Sequence, residues 1–380
     1  MDVGSSRLTD SRKAGAEAAR EALRDRTAQL IIVFCSHAHD LPALLEGIRA
    51  ESKDAPLMGC STAGEIAADG PGDAGVVVTA IGGEGFSISV SAAENASIDL
   101  RAAGSDAARC LDRVEDKGHK VLLLLTDGLA GDQQEIVRGA YAVAGAGIPL
   151  VGGCAGDDLE MTKTYQFFND KVLSDAVVGA AISSDGPLGI GVRHGWKALG
   201  DPVLVTRSEE NRVYSLDDRP ALDVYLERLD APAEVRTDAA SFTRFAMTHP
   251  LGLSRRNTEP HVRFISGANF DDRSLQCIAA VPQGGFAWFM RGDESSVLSA
   301  TDEACGDALS EIARPVGLFA FDCIARRGIL GDQGIKAEVS RISEHGGGVP
   351  VAGFYTYGEI ARTQGLSGFH NQTLVVLAIG

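Results

Sequence analysis

The chain has 380 residues, 44% of them apolar, enough to bury a substantial core and, by length, to make two domains. Its formal charge is −17, from 35 Lys plus Arg against 52 Asp plus Glu, so its field repels phosphate backbones and anionic headgroups and argues against nucleic-acid or membrane partners. Seven cysteines (Cys35, Cys60, Cys110, Cys154, Cys277, Cys305, Cys323) without CxxC spacing argue against a disulfide framework or a structural zinc. The start, Met1-Asp2-Val3-Gly4-Ser5, lacks the basic and apolar run of an export leader, and no apolar run reaches membrane-spanning length, so a cytoplasmic location is expected.

In chain order, the pattern first predicts an amphipathic helix over 14–26, capped at Asp10-Ser11, and then an apolar strand over 30–35. His37 and His39 follow as an HxH pair, but a metal site needs a third ligand and the pair reads as a loop. Next comes Pro56-Leu57-Met58-Gly59-Cys60-Ser61-Thr62-Ala63-Gly64-Glu65-Ile66-Ala67, closed by an apolar strand over 76–82. The unit then repeats more loosely: a helix over 105–116, a strand over 121–126, and Pro149-Leu150-Val151-Gly152-Gly153-Cys154-Ala155-Gly156-Asp157, which lacks the Thr and the Glu.

Residues 183–300 have a different rhythm, with short β-type runs at 262–265, 275–281 and 287–290 and turn chemistry at Asp271-Asp272 and Pro282-Gln283-Gly284-Gly285. A domain boundary is expected near Arg219-Pro220, ahead of a helix-like stretch over 221–229. The third copy has a helix over 302–314 capped at Thr301-Asp302, and a strand over 317–323. Its glycine loop is Pro350-Val351-Ala352-Gly353-Phe354-Tyr355-Thr356-Tyr357-Gly358-Glu359-Ile360-Ala361, and it closes on an apolar strand over 374–380. Pro, Gly, Thr, Gly, Glu, Ile and Ala recur in register between the first and last copies. The repeated order of helix, strand, helix, strand, glycine loop and strand predicts an α/β fold of mixed β-sheets covered by helices. The expected division is an N-terminal helix over 1–27, a first domain over 28–219 and a second over 220–380.

The segments at 59–67 and 152–157, Gly195-Trp196-Lys197-Ala198-Leu199-Gly200, and 354–359 with His370-Asn371-Gln372-Thr373 resemble the FIST N-terminal and C-terminal domains; Ala198 departs from a Pro found in many relatives. The resemblance implies a cytoplasmic sensory protein rather than an enzyme. It would bind a small ligand and signal through a partner chain such as a histidine kinase or a cyclic-dinucleotide enzyme. One branch of the family comprises haem proteins that sense nitric oxide.

Three candidate sites follow. In the stretch 189–197 a strand's period of two would put His194 on one face with Ile190, Val192 and Trp196, while Arg193 faces away. A neutral imidazole on an apolar wall suits the axial metal ligand of non-covalent haem b, there being no CxxCH, and a hydrogen-bonded core histidine is the competing reading. His249, His261 and His370 remain open as alternatives. The second site is the pair of glycine loops, where Gly59, Gly64, Gly353 and Gly358 would admit a ligand's close approach. Glu65 and Glu359 would then hold the amine or hydroxyl of an amino-acid-like ligand, beside Tyr357 and Asn371. Against this, the two glutamates could instead cap loops in a pseudo-symmetric frame. Finally, Cys60 would be a nucleophile if a helix N-terminus and a His activated it, and otherwise a buried thiol; no G-x-S-x-G elbow suggests a hydrolase.

Overall fold

The apolar runs of each copy are filled on both faces, so they form strands that must be covered on both sides. In the computed structural model, which describes residues 1–24, 26–67, 70–72, 74–254, 261–363 and 368–380, the first copy comprises β1 (Asp2–Ser6), α1 (Ser11–Leu23), β2 (Leu30–Ser36), α2 (Leu41–Ser52), β3 (Leu57–Thr62), β4 (Glu65–Ala67), β5 (Gly70–Gly72) and β6 (Val76–Ile81). The second comprises β7 (Phe86–Glu94), α3 (Leu100–Ala108), β8 (His119–Thr126), α4 (Gln133–Ala144), β9 (Leu150–Cys154), β10 (Gln166–Phe168), β11 (Lys171–Leu173) and β12 (Ala176–Ser184). The third begins with β13 (Leu188–Arg193). It then carries an inserted unit of eight strands, β14 (Lys197–Glu209) to β21 (Phe286–Arg291), with helices α5 (Ala221–Arg228) and α6 (Ala239–Met247). It resumes with α7 (Glu294–Leu309), β22 (Gly317–Cys323), α8 (Ile324–His345), β23 (Val351–Thr356), β24 (Glu359–Arg362), β25 (Phe369–His370) and β26 (Leu374–Ile379).

The three copies share one sheet topology. The orders are β1-β6-β2-β3, β7-β12-β8-β9 and β13-β26-β22-β23, with only the last pair of each parallel. Each copy then gives away the strand that follows its glycine turn. β4 of the first copy pairs with β23 of the third, β24 of the third with β9 of the second, and β10 of the second with β3 of the first. The exchange closes on itself after three steps, as a head-to-tail contact must if it is not to continue indefinitely.

Register explains the repeated glycines. The donated Ile66, Ile360 and Phe167 lie opposite Gly353, Gly152 and Gly59. At each of these glycines an added Cβ would fall on the carbonyl oxygen of the parallel neighbour, Ala320, Leu124 or Val33. The inner faces of the three sheets share a single core that includes Phe34, Phe321, Phe354, Leu123, Leu125 and Val178, with Phe34 and Phe354 ring centroids 4.7 Å apart. Helix pairs cover the outer faces. The inserted unit has its own core around Tyr225, Phe242 and Phe289, and Arg219–Pro220 is a short strand within its sheet.

The Thr-x-Gly-Glu motif pins two of the three exchanges, those of β4 and β24. Thr62 donates its hydroxyl to Glu65 Oε1 at 2.5 Å while Gly75 N–H, just before β6, donates to Oε2 at 2.9 Å. In the third copy Thr356 donates to Glu359, and Thr373, just before β26, donates both its N–H (3.0 Å) and its hydroxyl (2.8 Å) to Oε2. The glutamate therefore leaves on a strand that joins another copy's sheet while its carboxylate stays bound to its own. This bears on the ligand reading of Glu65 and Glu359, because both carboxylates are engaged by the frame itself.

Several helix boundaries differ from the expected ones. α7 starts at Glu294, where Asp293 and Ser296 form a capping box, so Thr301 is a buried interior residue and not a cap. α3 is capped by Asp99 and ends at Ala108, giving way to a 3-10 turn over Arg109–Arg113. α1 does begin at the Asp10 cap, but it stops at Leu23, where Arg24 turns left-handed. Among the described residues no helix is long and apolar enough to cross a membrane.

Two outcomes follow from this frame. In urea denaturation Gly353→Ala should cost about 2–3 kcal/mol, because the added methyl meets backbone that cannot move aside, whereas Gly306→Ala, on an exposed face of α7 with open space around it, should stabilise by up to about 1 kcal/mol. Burial pushes Glu359 up to about 7, against the pull of its threonine donors. A carboxyl raised in the folded state contributes stability that is complete below its ordinary value of 4.5 and is lost as pH rises through about 7. Relative to Glu359→Gln, the wild type should therefore lose about 3 kcal/mol of unfolding free energy between pH 4 and pH 8.

Candidate functional site

The carboxyl ends of the three parallel strand pairs converge on the pseudo-threefold axis. There the turns bond in a cycle: Ala63 N–H to Tyr355 O (3.0 Å), Gly156 N–H to Ser61 O (3.0 Å) and Tyr357 N–H to Cys154 O (3.2 Å). The axis is filled, since a Cβ on Gly156 would sit 3.0 Å from Ala63 N and 3.2 Å from the Tyr357 ring. Crevices at the carboxyl ends of parallel strands are where α/β folds bind ligands, so the question is which copy leaves one open.

The second copy does. Where the others place a single Gly64 or Gly358 between turn and donated strand, it places the nine-residue loop 157–165. Asp157, which is fully buried, organises that loop by accepting from the N–H groups of Met161 (3.0 Å), Thr162 (2.7 Å) and Lys163 (2.9 Å), and from the Tyr357 hydroxyl. Tyr357 in turn accepts from Leu159 N–H at 2.7 Å. Burial opposes the charge on Asp157, but the Tyr357 hydroxyl and these N–H donors outweigh it and hold the carboxyl below the ordinary Asp range. The loop is strained, with φ of 53° at Asp158, 67° at Leu159 and 53° at Met161. Leu159 and Met161 are left exposed.

Between this loop and the end of β8 lies a pocket of about 330 Å³, lined by Asp127, Leu129 and Ala130 on one side, Thr162, Lys163 and Thr164 on the other, and Ser97, Ser174 and Asp175. Asp127 accepts from Leu129 N–H (2.9 Å) and Asp175 N–H (2.8 Å). Asp175 accepts from Ser97 N–H and Oγ–H, both at 2.7 Å. Each carboxylate can accept about four hydrogen bonds, so both keep capacity toward the pocket. The Lys163 ammonium lies 5.1 Å from the Tyr165 ring centroid. Gln166 occupies the register of Glu65 and Glu359, and it is buried and reaches Thr164 at 3.4 Å. Its Oε1 finds no partner among the described residues. In this copy Asp127 has taken over the N–H that the glutamate staples hold elsewhere. Among the described residues no His or Cys lines the pocket.

The residues singled out from sequence are distributed differently. Gly59 and Cys60 lie in mid-β3. Burial pushes the Cys60 thiol well above its ordinary range, and all seven cysteines are buried and free, so a thiolate nucleophile has no support here. Gly64 abuts Arg327, which donates to Ala63 O at 2.7 Å, and Gly358 packs on the Phe369 ring. Asn371 is buried, donates to His370 O at 3.0 Å, and has an Oδ1 without a partner among the described residues. Only Tyr357 joins the pocket's own network. Asp127, Lys163 and Asp175 were not singled out; the one signal of them in the sequence is that the middle copy breaks the Thr-x-Gly-Glu pattern.

His194 departs from the strand reading. β13 ends at Arg193 and Gly195 turns to φ 83°, so the period of two stops before the histidine. Arg193 forms ion pairs with Glu303 and Asp307 of α7, and Trp196 donates its indole N–H to Gln372 O at 3.0 Å. His194 Nδ1 accepts Trp196 N–H at 2.9 Å. In a neutral ring that bond puts the proton on Nε2, the nitrogen an iron would have to take, so this arrangement does not fit an axial haem ligand. His261 and His370 lie at the same junction with ring centroids 4.9 Å apart, and His249 stacks on Phe245. His37 meets Glu160 and His39 meets Ser11. Among the described residues no cluster of His, Cys, Asp or Glu could hold a metal ion.

Comparison with known proteins agrees with this architecture. The chain is 26% identical over 387 residues to an uncharacterized protein of Mycobacterium tuberculosis (strain H37Rv), covering 98% of this chain and 97% of that one. It is 26% identical over 390 residues to an uncharacterized protein of Mycobacterium bovis, with the same coverage. A third relative, an uncharacterized protein of Methanocaldococcus jannaschii, is 28% identical over 165 residues, which cover 41% of this chain and 32% of that protein. Residues 29–219 match the FIST N domain and residues 221–362 the FIST C domain. The chain therefore belongs to the FIST family, whose domains are sensory domains of signal-transduction proteins.

Proposed function

We propose that this chain senses a small zwitterionic ligand of amino-acid type in the pocket of the second copy and passes the bound state to a partner chain, a histidine kinase or a cyclic-dinucleotide enzyme. The observation that carries the reading is the pocket's composition. It sets one ammonium, Lys163, against two carboxylates, Asp127 and Asp175, across a space of about 330 Å³, the size of a small-ligand site. Lys163 would take the ligand's carboxylate and the aspartates its ammonium, with the hydroxyls of Ser97, Thr162 and Thr164 supplying orientation.

The same geometry supports a route outward. Lys163 is tied through its backbone N–H to Asp157, and Asp157 to the Tyr357 hydroxyl on the axis. A ligand that pulls on Lys163 acts on a strained loop whose exposed Leu159 and Met161 are presented for contact. Differential affinity for two loop states is what turns binding into a signal.

Calorimetric titration of the full chain with the common amino acids tests the reading. At least one should bind, and Lys163→Met and Asp175→Asn should each weaken it by about tenfold or more, equivalent to about 1.4 kcal/mol. Binding that survives both substitutions would remove the pocket from consideration. A Soret band in haem-treated protein that is lost in His194→Ala would favour haem sensing instead.

A further inference from the structure

The third copy carries a segment the other two lack. Residues 37–40 join β2 to α2, and residues 127–132 join β8 to α4. In the third copy the corresponding connection is a helical stretch of its own, 324–330. It is separated from the rest of α8 by Gly331, whose φ of 59° and ψ of −176° break the helix.

Successive residues 326–329 of this segment engage different parts of the molecule. Arg326 is fully buried and caged. Its Nε donates to Asp322 Oδ1 (2.6 Å), its Nη2 to Glu338 Oε1 (2.5 Å) and Thr301 Oγ1 (3.1 Å), and its Nη1 to His194 O (3.0 Å). Two carboxylates facing one guanidinium would bury a net negative charge, which is costly unless one of them keeps its proton. Burial and the adjacent Glu338 push the Asp322 carboxyl well above its ordinary range despite Arg326, the direction that eases this cost. Arg327 turns the other way, over the Tyr355 ring and onto Ala63 O at the axis. Gly328 faces Met247 of the inserted unit, and Ile329 packs into the cluster of Trp196, Val262, Met290 and Trp288.

We propose that residues 324–331 form a latch, hinged at Gly331 and caught by the Arg326 cage, which couples the inserted unit to the three-copy body. While the guanidinium is caged, the inserted unit is held against the axis turns. When it leaves, Ile329 withdraws from the tryptophan cluster and the inserted unit is free to shift. This inference does not depend on what the second-copy pocket binds.

The chain has two tryptophans, and both lie in the cluster that Ile329 completes, so intrinsic fluorescence of the full-length protein reads the latch directly. Arg326→Ala should shift the emission to the red and raise acrylamide quenching, while far-UV circular dichroism keeps its helix and strand signal. Because that change leaves two buried carboxylates uncompensated and risks unfolding, Thr301→Val, which removes one acceptor from the cage with little change in shape, provides the second arm; a smaller shift in the same direction is expected. Wild-type emission and quenching in a folded Arg326→Ala protein would overturn the latch. So would an unfolded Arg326→Ala protein together with a Thr301→Val protein whose tryptophans are unchanged.

Discussion

A strand that leaves its own copy must satisfy its backbone on a foreign sheet edge, and the rest of this molecule is organised around meeting that requirement three times. An unpaired edge exposes a row of N–H and C=O groups. Here each such edge, on β3, β9 and β23, is covered by the strand donated from another copy. The donated strands are only three or four residues long, too few for ladder hydrogen bonds alone to fix them. Side chains supply the rest: an apolar residue seated opposite a strand glycine, and in two copies a glutamate that anchors the departing strand to its origin. None of the three sheets is complete without a neighbour, so the copies are bound to fold as one body.

Within such a ring, repetition specifies the frame and departures from it are where function can be lodged. The first copy is closest to the bare unit. The second exchanges the staple for Gln166 and spends nine residues on a loop that opens a charged pocket. The third keeps its staple but adds the 324–331 segment and, between β13 and α7, the inserted unit with its separate core. The two departures are chemically unlike. One sets opposite charges around an open pocket; the other holds a fully buried ion-pair network, where only the protein's own guanidinium fits.

Much of the frame could be read from the chain. The apolar strands, the three-fold recurrence and the foreign rhythm of the inserted region follow from periodicity and composition, because burial on both faces leaves little choice of residue. The meaning of Thr-x-Gly-Glu did not follow, because its carboxylate bonds residues ten and fourteen positions away, which local pattern does not encode. Gln166 was hidden for a related reason: the inserted loop moves it out of register with the motif it replaces. The alternation of β13 was carried past its end at Arg193 through His194 to Trp196, across Gly195, whose positive φ only the structure reveals. Asp127, Lys163 and Asp175 come together through topology alone, from a strand end, a loop and a turn, and none is unusual in its own neighbourhood.

The two departures meet at the axis, and that meeting constrains how the molecule can respond. Asp157 of the pocket loop holds the Tyr357 hydroxyl, and Arg327 of the latch holds Ala63 O. Tyr357, Ala63 and Gly156 are the three turn residues whose N–H groups close the backbone cycle. Because that cycle is closed, one turn cannot be displaced without lengthening a hydrogen bond in another copy, and a buried backbone group left unpaired costs about 1–3 kcal/mol. Small movements at the pocket are thus opposed by the frame until they are large enough to shift the turns together. Strain of about 1–3 kcal/mol at each left-handed non-glycine residue of the 157–165 loop is comparable in size to that resistance. On the proposed reading a ligand would need to supply only the difference between the two, which is the condition under which a rigid ring could carry a two-state signal from one copy to the next.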